Sequence, residues 1–219
     1  METRKTTIKT FGMIAAIAFA ATACDDTATG PETTDPNFVR GGLPQNSLPT
    51  IVDIVQTDDG EFDVLETLVV RSGLAGVLSG NRPYTVFAPQ DAAFGRLFTA
   101  LGVPGATPED QAEAACPVAT GCPDFVVNTL LYHVVNGRRF SESIVGERQV
   151  RTRLGDFFEV DGANLTTTCE VDGNTNTNVG NSAIIAAVPG ETFDIPAKNG
   201  VIHVVTEVLL PKQVCDEVL

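Results

Sequence analysis

Few residues in this chain could carry acid–base or redox chemistry. Two histidines, five cysteines and no tryptophan are present. His133 and His203 both lie inside apolar strings, Leu130-Leu131-Tyr132-His133-Val134-Val135 and Val201-Ile202-His203-Val204-Val205. A histidine in such a string is expected to be partly buried and neutral, with a hydrogen-bond partner for each ring nitrogen. For His133 the expected partner is backbone, or a polar side chain such as Asp91 or Thr85. No Gly-x-Ser-x-Gly elbow occurs, since Gly180-Asn181-Ser182-Ala183 lacks the second glycine. No glycine-rich phosphate loop with a lysine occurs either; beyond the N-terminal segment the lysines are Lys198 and Lys212. The expectation is a protein that is not an enzyme, with no catalytic residue and no cofactor.

Two acidic stretches could suggest metal. Asp172-Gly173-Asn174-Thr175-Asn176 has the alternation of a calcium loop, but its sixth position is Thr177 and its twelfth Ala183. A solvated hairpin loop is expected there, and helix-start acids at Asp58-Asp59-Gly60-Glu61-Phe62-Asp63. Cys116 and Cys122 are each followed by proline and have no nearby zinc ligands. With Cys24 set aside, four cysteines remain and allow three pairings. The preferred one closes Cys116 on Cys122 and joins Cys169 to Cys215; the other two stay open.

Charge bears on partners. The chain has 14 Lys+Arg against 28 Asp+Glu, a net −14, which repels phosphate backbones and argues against nucleic acid. Against that background Arg138, Arg139, Arg148, Arg151 and Arg153 cluster. Arg151 and Arg153 would share one face of a strand, a candidate site for an anionic polymer. The alternative is a solvated strand face.

The N-terminus looks like an address. Arg4, Lys5 and Lys9 precede an apolar run from Phe11 to Ala23, too short to span a bilayer and laid out as a secretory signal. Ala21-Thr22-Ala23-Cys24 resembles the lipobox of bacterial lipoproteins, with Cys24 as the acylated residue. It departs from the usual pattern in having Ala21 where leucine is common, and simple secretion is the alternative. Losing residues 1–23 would take the net charge from −14 to −16, so any membrane link would be the lipid rather than a basic patch. Asp25 to Pro49, rich in Thr, Pro, Gly and Asp, has linker composition. The expected organisation is a signal peptide at 1–23, a flexible tether at 24–47, one domain at 48–211 and a C-terminal tail at 212–219.

Within the domain the apolar period changes along the chain. Thr50 can cap a helix through Ile51, Val52 and Val55. Phe62, Leu65, Leu68 and Val69 recur at helical spacing, with Gly73 as a stop. Tyr84 to Ala88 is a strand closed by Pro89, and Asp91 can cap a helix with the stripe Phe94, Leu97, Phe98, Leu101. Residues 102–123 are expected to be loop, and Phe125 to Leu131 helix. After Gly137 the period becomes two, with strands expected around Val150–Leu154, Phe157–Val160, Leu165–Val171, Ala183–Val188 and Val201–Leu210. Helices first and short strands afterwards argue for one α+β domain rather than parallel βαβ units.

Three segments together resemble the fasciclin-type domain: Tyr84-Thr85-Val86-Phe87-Ala88-Pro89 continued to Phe94, Leu130 to Val135, and Asn199-Gly200-Val201-Ile202-His203-Val204-Val205 ending in Leu210-Pro211. The resemblance covers Leu48 to Pro211. It implies a compact β-sandwich or wedge of short strands, with a helical cluster contributed mainly by the N-terminal half. It also implies a non-catalytic role in adhesion or matrix binding. In some animal members a Tyr-His pair at the second segment is linked to adhesion, which here maps onto Tyr132 and His133. Residues 102–123 are longer than the family's usual connection. The expected protein is therefore exported and lipid-anchored at the bacterial outer membrane or cell surface. It would bind a protein or polysaccharide through candidate residues Tyr132, His133, Arg151 and Arg153. The alternative is a periplasmic or secreted ligand-binding or envelope-structural protein without an adhesive role.

Overall fold

The structure, a computed structural model, describes residues 44–57, 60–167, 182–183 and 194–218. The expected signal peptide, Cys24, nearly all of the tether, Cys169 and the Asp172–Asn176 loop lie outside the described residues.

The N-terminal half is largely helical. α1 (Ile51–Thr57) starts at a reciprocal cap: Thr50 N–H donates to Asp53 Oδ2 at 2.9 Å, and Asp53 N–H donates to Thr50 Oγ1 at 3.2 Å. α2 (Asp63–Arg71) buries Val64, Leu65, Leu68 and Val69 and is followed by Gly73 at φ +75°. α3 (Ala75–Leu78) leads to β1 (Tyr84–Pro89) and α4 (Asp91–Ala100). Asp91 does not cap α4. It is the first residue of that helix, and its Oδ1 accepts from Val64 N–H at 2.9 Å in the first turn of α2. One carboxylate thus ties two helix starts together, where the dipole favours negative charge.

Residues 102–123 are not simply loop. They contain α5 (Pro108–Ala115), with proline at its first position and a capping box between Thr107 and Asp110. α6 (Asp124–Tyr132) follows and runs through His133 into β2 (Val134–Asn136). The chain then makes α7 (Ser141–Ile144), β3 (Gln149–Arg151), β4 (Phe157–Asp161), β5 (Asn164–Thr166), β6 (Ser182–Ala183), β7 (Ile195–Ala197) and β8 (Gly200–Val205). The expected C-terminal tail forms a helix, α8 (Lys212–Val218), that buries Val214 and Cys215.

Two four-stranded sheets result, ordered β2-β1-β8-β7 and β3-β4-β5-β6. The second is antiparallel throughout. In the first, β1 and β8 run parallel, with Tyr84 opposite Gly200 and Pro89 opposite Val205. A parallel pair therefore exists, but between distant parts of the chain rather than within a βαβ unit. Both strands are buried at every position. Alternation along them makes two cores. Tyr84, Val86, Ala88, Ile202 and Val204 join the helices. Phe87 and Val205, with Val135 of β2, pack with Val150, Phe158, Val160 and Leu165 of the second sheet. The molecule is thus an α+β sandwich with a helical cluster on one side of its central sheet.

Candidate functional site

Tyr132 and His133 sit where α6 passes into β2, and both point inward, being 1% and 3% exposed. Leu209 N–H donates to His133 Nε2 at 2.9 Å, so that nitrogen is the acceptor. The proton is therefore on Nδ1, which donates to Thr129 O at 2.8 Å. Each partner is backbone, as expected, while Asp91 and Thr85 bond elsewhere. Burial lowers the pKa of the ring to about 4, against the smaller opposing effect of the Thr129 carbonyl. Protonating Nε2 would also set two N–H groups against each other.

Tyr132 stands with its ring edge-on to Phe158 at 6.1 Å, and its hydroxyl donates to Phe157 O at 2.7 Å. Burial, and secondarily the charge of Asp156, push its hydroxyl pKa well above the ordinary value. The Tyr-His pair is thus a joint inside the protein, linking α6 to β4 and to the segment after β8.

His203 is fully buried and tilted against Phe87 at 5.3 Å. Its Nε2 lies 2.8 Å from Arg139 O, and its Nδ1 lies 3.3 Å from Asp194 Oδ1. Asp194 also accepts from Ser141 N–H at 2.7 Å and from Ser141 Oγ at 3.1 Å, at the start of α7.

The arginines separate. β3 ends at Arg151, and Arg153 lies beyond it in the turn toward β4, so the two do not share a strand face. The cause is local: Thr152 turns inward, its N–H and hydroxyl both donating to Asp156 O, at 2.8 and 2.9 Å. The Arg151 guanidinium lies 5.8 Å from the ring centre of Phe157, its cross-strand neighbour. Arg153 instead covers Tyr84, at 5.5 Å, and its N–H donates to Val134 O. Arg138 donates to the carbonyls of Ala197, Lys198 and Gly200, and Arg139 pairs with Glu147 at 2.7 Å. Much of the basic cluster is thus spent on holding loops.

Cys116 and Cys122 form a disulfide that closes the turn after α5. Arg71 secures this region, donating to Cys116 O at 3.0 Å and pairing with Glu113 at 2.9 Å. Cys215 is also disulfide-bonded; Cys169, its expected partner, lies outside the described residues. Among the described residues no three His, Cys, Asp or Glu side chains gather as a metal site would require. Two cavities of about 20 Å³ each have largely apolar linings, one between α1, α2 and β1, the other between α4, α6 and α8.

The second sheet has one face open to solvent. Burial alternates along β3, β4 and β5, leaving Gln149, Arg151, Phe157, Glu159, Asp161, Asn164 and Thr166 exposed. The alternation was visible in the sequence at Phe157-Phe158-Glu159-Val160, but which phenylalanine faces water was not.

A helix-backed mixed sheet is thus sandwiched against an antiparallel one, with a buried Tyr-His pair at the joint. The Fasciclin domain model matches residues 60–211, and the chain belongs to that family. It is 31% identical over 180 residues to Protein sll1483 of Synechocystis, covering 82% of this chain and 83% of that one. It is 28% identical over 166 residues to the transforming growth factor-beta-induced protein ig-h3 of Sus scrofa, covering 76% of this chain but 20% of that one. Among solved structures, a FAS1 domain pair from the insect cell adhesion molecule fasciclin I aligns at 19% identity and TM-score 0.48, over 76% of this chain and 52% of that one.

Proposed function

We propose that this protein is a non-catalytic envelope protein, lipid-anchored through Cys24, that mediates adhesion to surface, matrix or envelope partners through its fasciclin domain. Fasciclin domains occur in adhesion and extracellular-matrix proteins. The observation that carries the reading is the state of the two histidines. Both are buried, and both ring nitrogens of each face a polar partner inside the protein. Neither ring reaches the surface, where an external substrate would have to meet it. The chemistry left on the surface is that of recognition.

The test uses intact cells producing the full chain. Labelling by a membrane-impermeant amine or carboxyl reagent, and protein-dependent attachment of the cells to coated surfaces, are the expected results. Cys24→Ser should move the protein from the membrane to the soluble fraction. Labelling only after permeabilisation would instead support a periplasmic ligand-binding or structural role. Turnover of a substrate by the purified chain would end the binding reading.

A further inference from the structure

We propose that His203 and Asp194 form a clasp that closes only while His203 holds a second ring proton, and that losing this proton releases α7 from the central sheet. His203 Nε2 lies 2.8 Å from Arg139 O. A carbonyl oxygen can only accept, so Nε2 carries a hydrogen. Nδ1 lies 3.3 Å from Asp194 Oδ1. The same carboxylate accepts from Ser141 N–H at 2.7 Å and from the Ser141 hydroxyl at 3.1 Å, two bonds that favour its ionised form. A neutral ring would turn the Nδ1 lone pair onto a carboxylate oxygen. An imidazolium donates from both nitrogens instead. The ring is fully buried and Asp194 is 5% exposed, so either charge alone would be costly there, and each needs the other. His133 is the contrast within the same molecule: a backbone N–H points at its Nε2 and forces a neutral ring.

The clasp joins distant parts of the chain. His203 comes from β8, Asp194 immediately precedes β7, Ser141 opens α7, and the Arg139 carbonyl belongs to the connection from β2 to α7. The other charges nearby are already engaged or outward. Arg139 pairs with Glu147, Arg138 is spent on the carbonyls of Ala197, Lys198 and Gly200, and Glu142 of α7 and Lys198 are exposed. From β1 the ring meets Phe87, with Phe158 and then Tyr132 beyond it. With the proton gone, Nδ1 and Asp194 repel, and Asp194 moves off β8 together with the start of α7 that it holds. An imidazole freed from the clasp is neutral above about pH 6.5. Opening in that range gives a proton to solvent, so it becomes up to about tenfold more favourable per pH unit.

The test uses the full chain, isotope-labelled and in detergent. Ring-nitrogen NMR at pH 6 should show His203 protonated at both nitrogens and His133 at one. Between pH 6 and pH 9, after correction for intrinsic base catalysis, amide exchange at Ser141 should quicken at least about tenfold more than at Leu209, whose N–H is held by His133. Asp194→Asn should leave His203 with one ring proton and remove the pH dependence at Ser141. A singly protonated His203 at pH 6 overturns the inference, and so does Ser141 exchange that tracks Leu209 across the range. Both of those readings come from the wild-type chain and decide the matter even if the variant does not fold.

Discussion

At the scale of single residues, His133 converts burial into a pH dependence. Its folded pKa of about 4 lies below the ordinary histidine value of 6.5, so the unfolded chain takes up a proton that the folded one refuses. The contribution is constant above pH 6.5, where both states are neutral, and is lost as the pH falls from 6.5 toward 4. The size is about 3 kcal/mol. Urea unfolding of wild type and His133→Gln at pH 7 and pH 4.5 isolates it. The variant should be less stable at pH 7 by roughly 2 kcal/mol, since Leu209 N–H and Thr129 O lose their partner. The difference should vanish or slightly reverse at pH 4.5, because the variant lacks the histidine titration that costs the wild type about as much. A variant as stable as wild type at pH 7 would contradict the structural role. The apolar string around His133 made burial legible in the sequence. Its two partners were not, because they are backbone groups supplied by the preceding helical turn and by a segment far along the chain.

At the scale of elements, the helices with an apolar stripe were readable and α5 was not. Its sequence, PEDQAEAA, is mostly polar and buries Gln111, Ala112 and Ala115, so no wide stripe marks it. The signal it does carry is at its start, a threonine followed three residues later by aspartate, with proline between. That cap is expected to matter because the helix has little else of its own. Thr107→Ala should destabilise the protein by about 1 kcal/mol, measured by chemical denaturation. Amide exchange should quicken first in α5 while α2 and α6 keep their protection. An unchanged denaturation midpoint would mean that the Cys116–Cys122 bridge and Arg71 hold α5 without the cap. The arginine strand failed for a related reason: Val150 to Leu154 alternates in type, but Thr152 takes Asp156 O as partner and ends the strand one residue after Val150.

At the scale of the whole molecule, Asn199 and Gly200 join what sequence order keeps apart. A turn was the natural reading of Asn-Gly. The structure adds that Asn199 Oδ1 accepts from Ile51 N–H at 2.9 Å, while its amide donates to Leu78 O and Gly80 O. A Cβ on Gly200 would stand 2.0 Å from Tyr84 O and 2.6 Å from Ile51 Cδ1. Gly200→Ala should therefore pry β8 from β1 and lower stability by about 3 kcal/mol or more, read as a fall in melting temperature. Gly76→Ala, in α3 with open space around it, should be neutral or slightly stabilising. Equal effects at the two sites would show that close approach is not what Gly200 provides. The parallel pairing of β1 with β8 has one more consequence. The slot beside β1 stays vacant until β8, more than a hundred residues further along the chain, has been synthesised, so a nascent chain cannot lock its interior early. Until then such a chain remains threadable through a narrow channel.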